Sequence, residues 1–258
     1  MNIREPHQFQ LVRKKRQNQQ VFKKFRMFTK LSMMTVLVVA LVGYASFARP
    51  LPALKTESSV PALTSRQVAL NWPSRGQAAI GVNDQGVLAA TDNPKAVPTA
   101  SVAKIMLALK VLDKHPLNPG QSGPAITITQ ADVDSYNNYL ANNGSVVPVS
   151  LGQQITEYQA LQALLLPSAN NIAQMLAVWA FGSVDGYLAA ANAKTQDLSM
   201  VSTHFADASG FSPNTVSTPS DLVLLGQAAL ANPVIKQIVA QPSANFPSVG
   251  TIYNTNGL

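Results

Sequence analysis

The chain has 258 residues, 47% of them apolar, and a formal net charge of +7, which is enough for one or two domains with a sizeable core. The charge is local: residues 1–30 carry nine Lys/Arg against Glu5 alone, while the remainder holds ten basic and eleven acidic residues. A near-neutral globular part argues against a nucleic-acid-binding domain, and the absence of cysteine excludes disulfides, thiol catalysis and Cys-ligated metal.

Residues 1–30 read as a basic cytoplasmic tail. Residues 31–48 (LSMMTVLVVALVGYASFA) follow without a charge. As a helix they span about 27 Å, against roughly 30 Å of bilayer hydrocarbon. Lys and Arg stay on the cytoplasmic side, so the spacing predicts a single-pass membrane anchor with the N-terminus inside and the rest of the chain extracytoplasmic. A signal cleaved after Ser46-Phe47-Ala48, giving a secreted product, is the rival, but thirty residues is a long basic lead for one. Residues 49–66, with Pro50, Pro52 and Pro61 among Ser, Thr and Ala, read as a linker.

Residues 67–258 form the remaining domain. Residues 77–82 (QAAIGV) and 86–90 (GVLAA) flank Asn83-Asp84-Gln85, which predicts a β-hairpin. An apolar run from Ser101 through Leu112 predicts a buried helix, ended at His115-Pro116. Residues 126–129 read as a short extended piece, and residues 130–140 are polar enough to read as a helical turn or loop. Thr156 opens a second strong helix, with Glu157 in its first turn and Leu161, Leu164 and Leu165 on its apolar side. Pro167 interrupts it, Ser168-Ala169-Asn170 lies in the break, and residues 171–181 resume as helix. Further helices are predicted over 184–198, from Pro219 to Leu230 with Ser220 or a neighbour as cap, and over 233–240. Strands followed by a block of helices indicate a segregated α+β fold. Two short strands make no stable sheet alone, so the remaining strands are expected to come from elsewhere.

Few residues offer chemistry. His115 and His204 have ordinary surroundings, no two His sit at metal spacing, and Asp132 and Asp134 read as a solvated pair. No phosphate loop or dinucleotide fingerprint is present, and no cofactor or metal is expected. What remains is Ser101 with Lys104 and Ser168 with Asn170. Residues three apart on a helix share a face. A Ser hydroxyl needs a neighbouring base, and a lysine at a helix N-terminus, where extra positive charge is disfavoured, can be one. The plain alternative is that Ser101 caps the helix and Lys104 stands in solvent.

The ordered motifs resemble those of the serine D-alanyl-D-alanine carboxypeptidases, the low-molecular-mass penicillin-binding proteins of the peptidase S11 type, and their relatives the serine β-lactamases. Ser101-Val102-Ala103-Lys104 resembles their SxxK and Ser168-Ala169-Asn170 their SxN motif. Residues 203–210 (THFADASG), 217–222 (STPSDL) and 253–256 (YNTN) resemble further family segments. The resemblance implies a penicillin-binding-protein/β-lactamase-like α+β fold, a helical block plus an antiparallel sheet. It implies Ser101 as nucleophile, Lys104 as base, Ser168 as proton relay and Asn170 as substrate-binding residue, acting on peptidoglycan pentapeptide and acylated by β-lactam inhibitors. The family's third motif, KTG, does not occur after Asn256. The chain therefore reads as truncated before that motif, with C-terminal sheet strands missing, and is expected to be inactive or nearly so in this form. A β-lactamase is an alternative, disfavoured by Ala169 where class A enzymes carry Asp. A non-catalytic wall-binding relative is the other, disfavoured by the intact Ser101, Lys104, Ser168 and Asn170.

Overall fold

The computed structural model describes residues 7–47, 70–83 and 85–257, in two units that divide between Val68 and Ala69. The proposed linker over 49–66 lies outside the described residues, as does Asp84 of the hairpin turn. In the first unit a single helix, α1 (His7–Phe47), carries both the basic stretch and the apolar one. Within it Arg26–Phe47 is long and apolar enough to cross a membrane. Its apolar side chains, among them Leu37, Val39 and Leu41, are exposed.

The second unit opens with the expected antiparallel hairpin, β1 (Ala79–Val82) and β2 (Gly86–Ala90). Gly81 faces a later helix, α7 (Pro219–Ala231), so closely that a Cβ there would stand 2.3 Å from Val223 Cγ1. The outer residues Ile80, Val82 and Leu88 stay exposed. β3 (Val97–Pro98) then leads through a 3-10 turn over Ala100–Ala103 into α2 (Lys104–Lys114). α2 is the central helix. Met106, Leu107, Ala108 and Val111 are fully buried because four helices pack around it, while Asp113 and Lys114 at its C-terminal end are exposed. Those neighbours are α4 (Glu157–Leu165), α5 (Asn170–Phe181), α6 (Val184–Asp197) and α7.

Between α2 and α4 the structure corrects one expectation. Residues 130–140 are not a turn or loop but a three-turn helix, α3 (Gln130–Ala141), that follows β4 (Ala125–Thr127). Its first turn is held by side-chain caps, and Val133 and Tyr136 pack against the core. Asp132 accepts the backbone N–H and the hydroxyl of Thr129 at 2.8 and 2.7 Å, and Thr129 Oγ1 accepts the N–H of Asp132, a capping box. Asp134 accepts from the Gln130 amide at 2.8 Å. The two carboxylates hold a helix end. β5 (Gln154–Thr156) pairs with β4, and Thr156 caps α4 in a second capping box with Gln159.

β6 (Val216–Ser217) pairs antiparallel with β3, Val97 opposite Ser217. This ladder brings residues 203–217 against the chain entering the 3-10 turn. Thr218 caps α7 and Pro219 is its first residue, one to two positions before Ser220. α8 (Pro233–Val239) follows, capped by Asn232. A hairpin, β7 (Ser243–Phe246) with β8 (Gly250–Tyr253), closes the described chain. Its strands carry no apolar alternation strong enough to have been read from sequence.

Candidate active site

The site begins at a strained turn. Ala100 has φ 47°, in the left-handed region that non-glycine residues seldom occupy. The turn it opens is 3-10, so Ser101 and Lys104 lie almost directly over one another rather than offset as in an α-helix. The Lys104 ammonium nitrogen and Ser101 Oγ are 2.9 Å apart. Ser101 makes no cap. Thr99 occupies that position, without a side-chain bond to the helix. Nor does Lys104 stand in solvent: it is 1% exposed. Its second hydrogen bond goes to the carbonyl of Ser209 at 2.9 Å. Burial lowers its pKa to about 8, against the opposing charge of Asp207.

Ser168 sits in the break between α4 and α5, also in the left-handed region, at φ 63°. Such strain in a non-glycine residue persists only where its surroundings enforce it. Here Pro167 precedes it, Ala169 N–H bonds back to Ala163 and Asn170 N–H bonds to Ser145 at 2.7 Å. Ser168 Oγ is buried and has no hydrogen-bond partner among the described residues. Ser101, Lys104 and Ser168 line one cleft of about 250 Å³.

The far wall of that cleft includes Asn254, Thr255 and Asn256. Asn254 donates to the carbonyls of Val239 and Gln241. Thr255 donates its N–H and hydroxyl to the Leu166 carbonyl at 3.0 and 3.2 Å, so this segment is stapled to the same break that presents Ser168.

Asn170 is placed differently from the other three. It is the first residue of α5 and buried, and a Cβ on Gly144 would stand 2.8 Å from its amide nitrogen. It is not among the residues lining the cleft, and the Lys104 hydrogen bonds go to Ser101 and Ser209. His115 stacks on Trp179, ring centroids 4.2 Å apart, and His204 bridges to Val216; both are structural positions.

Sequence reading attached no role to Ser209 or Gly210. Ser209 supplies the acceptor for the lysine. Gly210, at φ +74°, lies so close to the nucleophile turn that a Cβ would fall 1.7 Å from the Ala100 carbonyl oxygen. The signals in sequence are the family-like segment 203–210 and, within it, Asp207-Ala208-Ser209-Gly210, a turn-forming composition.

The cleft thus sets a serine hydroxyl against a buried lysine whose pKa is lowered, with a second, unpaired serine beside them. A family model described as D-alanyl-D-alanine carboxypeptidase, peptidase S11, matches residues 66–258, and the chain belongs to that family. Among curated proteins it is 39% identical to the D-alanyl-D-alanine carboxypeptidase DacB2 of Mycobacterium tuberculosis, over 63% of this chain and 52% of that protein. It is 33% identical to a D-alanyl-D-alanine endopeptidase of Haemophilus influenzae, over 62% of this chain and 53% of that protein. The chain thus spans about half the length of these relatives. Among solved structures, a D-alanyl-D-alanine carboxypeptidase from Mycobacterium tuberculosis matches with TM-score 0.60 at 36% identity, over 70% of this chain and 68% of that one. The Streptomyces K15 DD-transpeptidase matches with TM-score 0.62 at 28% identity, over 71% and 74%. The penicillin-binding-protein α+β fold is therefore shared.

Proposed function

We propose that the domain over residues 67–258 belongs to a serine-type D-alanyl-D-alanine carboxypeptidase that acts on peptidoglycan stem peptides through an acyl-enzyme and is acylated by β-lactams. The observation that carries this reading is the contact between Ser101 Oγ and a lysine amine that is 1% exposed. With Lys104 as free amine, its lone pair accepts the Ser101 proton along this 2.9 Å line while Oγ attacks the carbonyl between two D-alanines. The backbone N–H of Ser101 serves as one oxyanion donor, a contribution typically worth about 3 kcal/mol. Ser168, whose hydroxyl lacks a partner, passes a proton to the departing D-alanine amine, and water then releases the acyl group. Asn170 holds the substrate amide, which requires its buried side chain to turn toward the cleft when substrate enters. The apolar part of α1 anchors the chain, with the basic N-terminal segment cytoplasmic and the catalytic domain outside. Relatives at 33%, 30% and 27% identity are named D-alanyl-D-alanine endopeptidases, so cross-linked peptides are a second substrate of the same chemistry.

The test is intact-mass analysis of the chain after incubation with penicillin. A covalent adduct on Ser101 is expected. Ser101→Ala should carry no adduct; an adduct that persists in that variant removes Ser101 as nucleophile.

A further inference from the structure

The loop that faces Lys104 is built around one carboxylate. Asp207 Oδ2 accepts the N–H of Ser209 at 3.2 Å, the Ser209 hydroxyl at 2.8 Å and the N–H of Phe211 at 2.9 Å. Its Oδ1 accepts the hydroxyl of Thr215. Thr215 Oγ1 in turn accepts the N–H groups of Ala206 and Asp207, and its carbonyl accepts the N–H of Thr99 at 3.0 Å. Ser209 and Thr215 are both fully buried. A carboxylate that takes the backbone N–H groups two and four residues ahead closes a turn tightly.

That turn has two consequences at the catalytic pair. It points the Ser209 carbonyl at the Lys104 amine, 2.9 Å away. It also sets Gly210 against the Ala100 carbonyl, immediately before Ser101. Asp207 itself bonds neither to Lys104 nor to Ser101, and it is not among the residues lining the cleft. Its influence passes through the carbonyl and through space.

We propose that Asp207 is a positioning residue of this site: its carboxylate closes the turn that fixes the Ser209 carbonyl as the acceptor for Lys104 and holds a negative charge behind that carbonyl. The inference rests on the reading of Lys104 as the base. Its chemical sense is that burial alone would leave a weak base, and proton abstraction from a serine needs a stronger one.

Other titratable groups surround α2. Glu157 and Tyr158 lie on α4, Tyr187 on α6 and Asp221 on α7. Tyr139 lies on α3. The remaining charges of α6 are Asp185, which is exposed, and Lys194 and Asp197, of which Lys194 reaches Asp113 at the far end of α2. Asp207 stands behind the Ser209 carbonyl that Lys104 bonds, and its charge opposes the effect of burial on the amine. Asp221 is occupied with the Ser202 N–H and the Thr203 hydroxyl.

The experiment follows the Lys104 amine directly. The 258-residue chain is prepared with carbon-13 at lysine Cε, and the Lys104 signal, identified by its loss in Lys104→Arg, is titrated by NMR. Asp207→Asn keeps the side-chain shape and removes the charge; the Lys104 midpoint should fall by about one pH unit. Thr215→Val keeps the charge but removes a donor to the carboxylate, and should lower the midpoint by a smaller amount. Asp113→Asn, at the far end of α2, should leave it unchanged. Midpoints equal to wild type in both Asp207→Asn and Thr215→Val overturn the proposal, as does an equal fall in Asp113→Asn. Should Asp207→Asn not fold, an unshifted Thr215→Val overturns it alone. Failure of the base assignment is read separately, in the wild type: Lys104 would then titrate near the ordinary lysine value of about 10.4.

Discussion

At the scale of single residues, Lys104 carries opposite consequences for stability and for activity. Its amine holds a proton up to about pH 8 in the folded chain, against 10.5 for the ordinary side chain. Between those values the unfolded chain binds more protons, so stability rises with pH from 8 to 10.5, and below 8 the full cost of burying the cation is present. That cost is on the order of 3 kcal/mol. Lys104→Met is expected to raise the urea midpoint at pH 7, with the gap closing toward pH 10.5, and to abolish penicillin acylation. In the unsubstituted chain the acylation rate should fall about tenfold per pH unit below the Lys104 midpoint, because only the free amine accepts the Ser101 proton. Gly210→Ala forces a methyl group 1.7 Å from the Ala100 oxygen at a positive φ. It should destabilise the domain by on the order of 2 kcal/mol or more, read as a lower melting temperature.

At the scale of elements, helix ends decide more than helix faces. α3 lacks a strong apolar stripe and its first turn is held by Thr129 and Asp132, so Thr129→Ala should cost about 1 kcal/mol in chemical denaturation. α4 presents the reverse case. Glu157, at its first turn, is fully buried, and neither carboxyl oxygen has a hydrogen-bond partner among the described residues. A Cβ on Gly123 would stand 2.6 Å from Glu157 Oε2, which shows how closely backbone covers it. A helix N-terminus favours the anion, but burial prevails and raises the pKa from 4.5 to about 7. Here the folded chain binds more protons between those values. Stability should therefore fall as pH rises from 4.5 toward 7, with the loss complete above. Glu157→Gln should flatten this dependence, with its largest gain over wild type at pH 8 in thermal melts.

At the scale of the whole molecule, the anchor and the domain make separate predictions. The apolar length Arg26–Phe47 should carry the full chain into the detergent phase on phase partitioning, and a chain beginning at Gln67 should remain in the aqueous phase. Local pattern determined much by itself. The charge-free stretch in α1, the β1–β2 hairpin, the break at Pro167 and the spacing of Ser101 and Lys104 are all short-range features, legible because turn chemistry and apolar periodicity act over a few residues. The capping box of α3 was equally local, but its polar faces masked it. Tertiary structure alone decided the rest. The 3-10 form of the Ala100–Ala103 turn is enforced by β3 pairing with β6 and by Gly210 pressing on Ala100, across more than a hundred residues of sequence. Lys104 is a buried amine rather than a surface charge because the domain packed around α2 leaves it 1% exposed and the Ser209 carbonyl receives it. Residue order could name the serine and the lysine. Desolvation, which sets what a lysine does, is a property of everything packed around it.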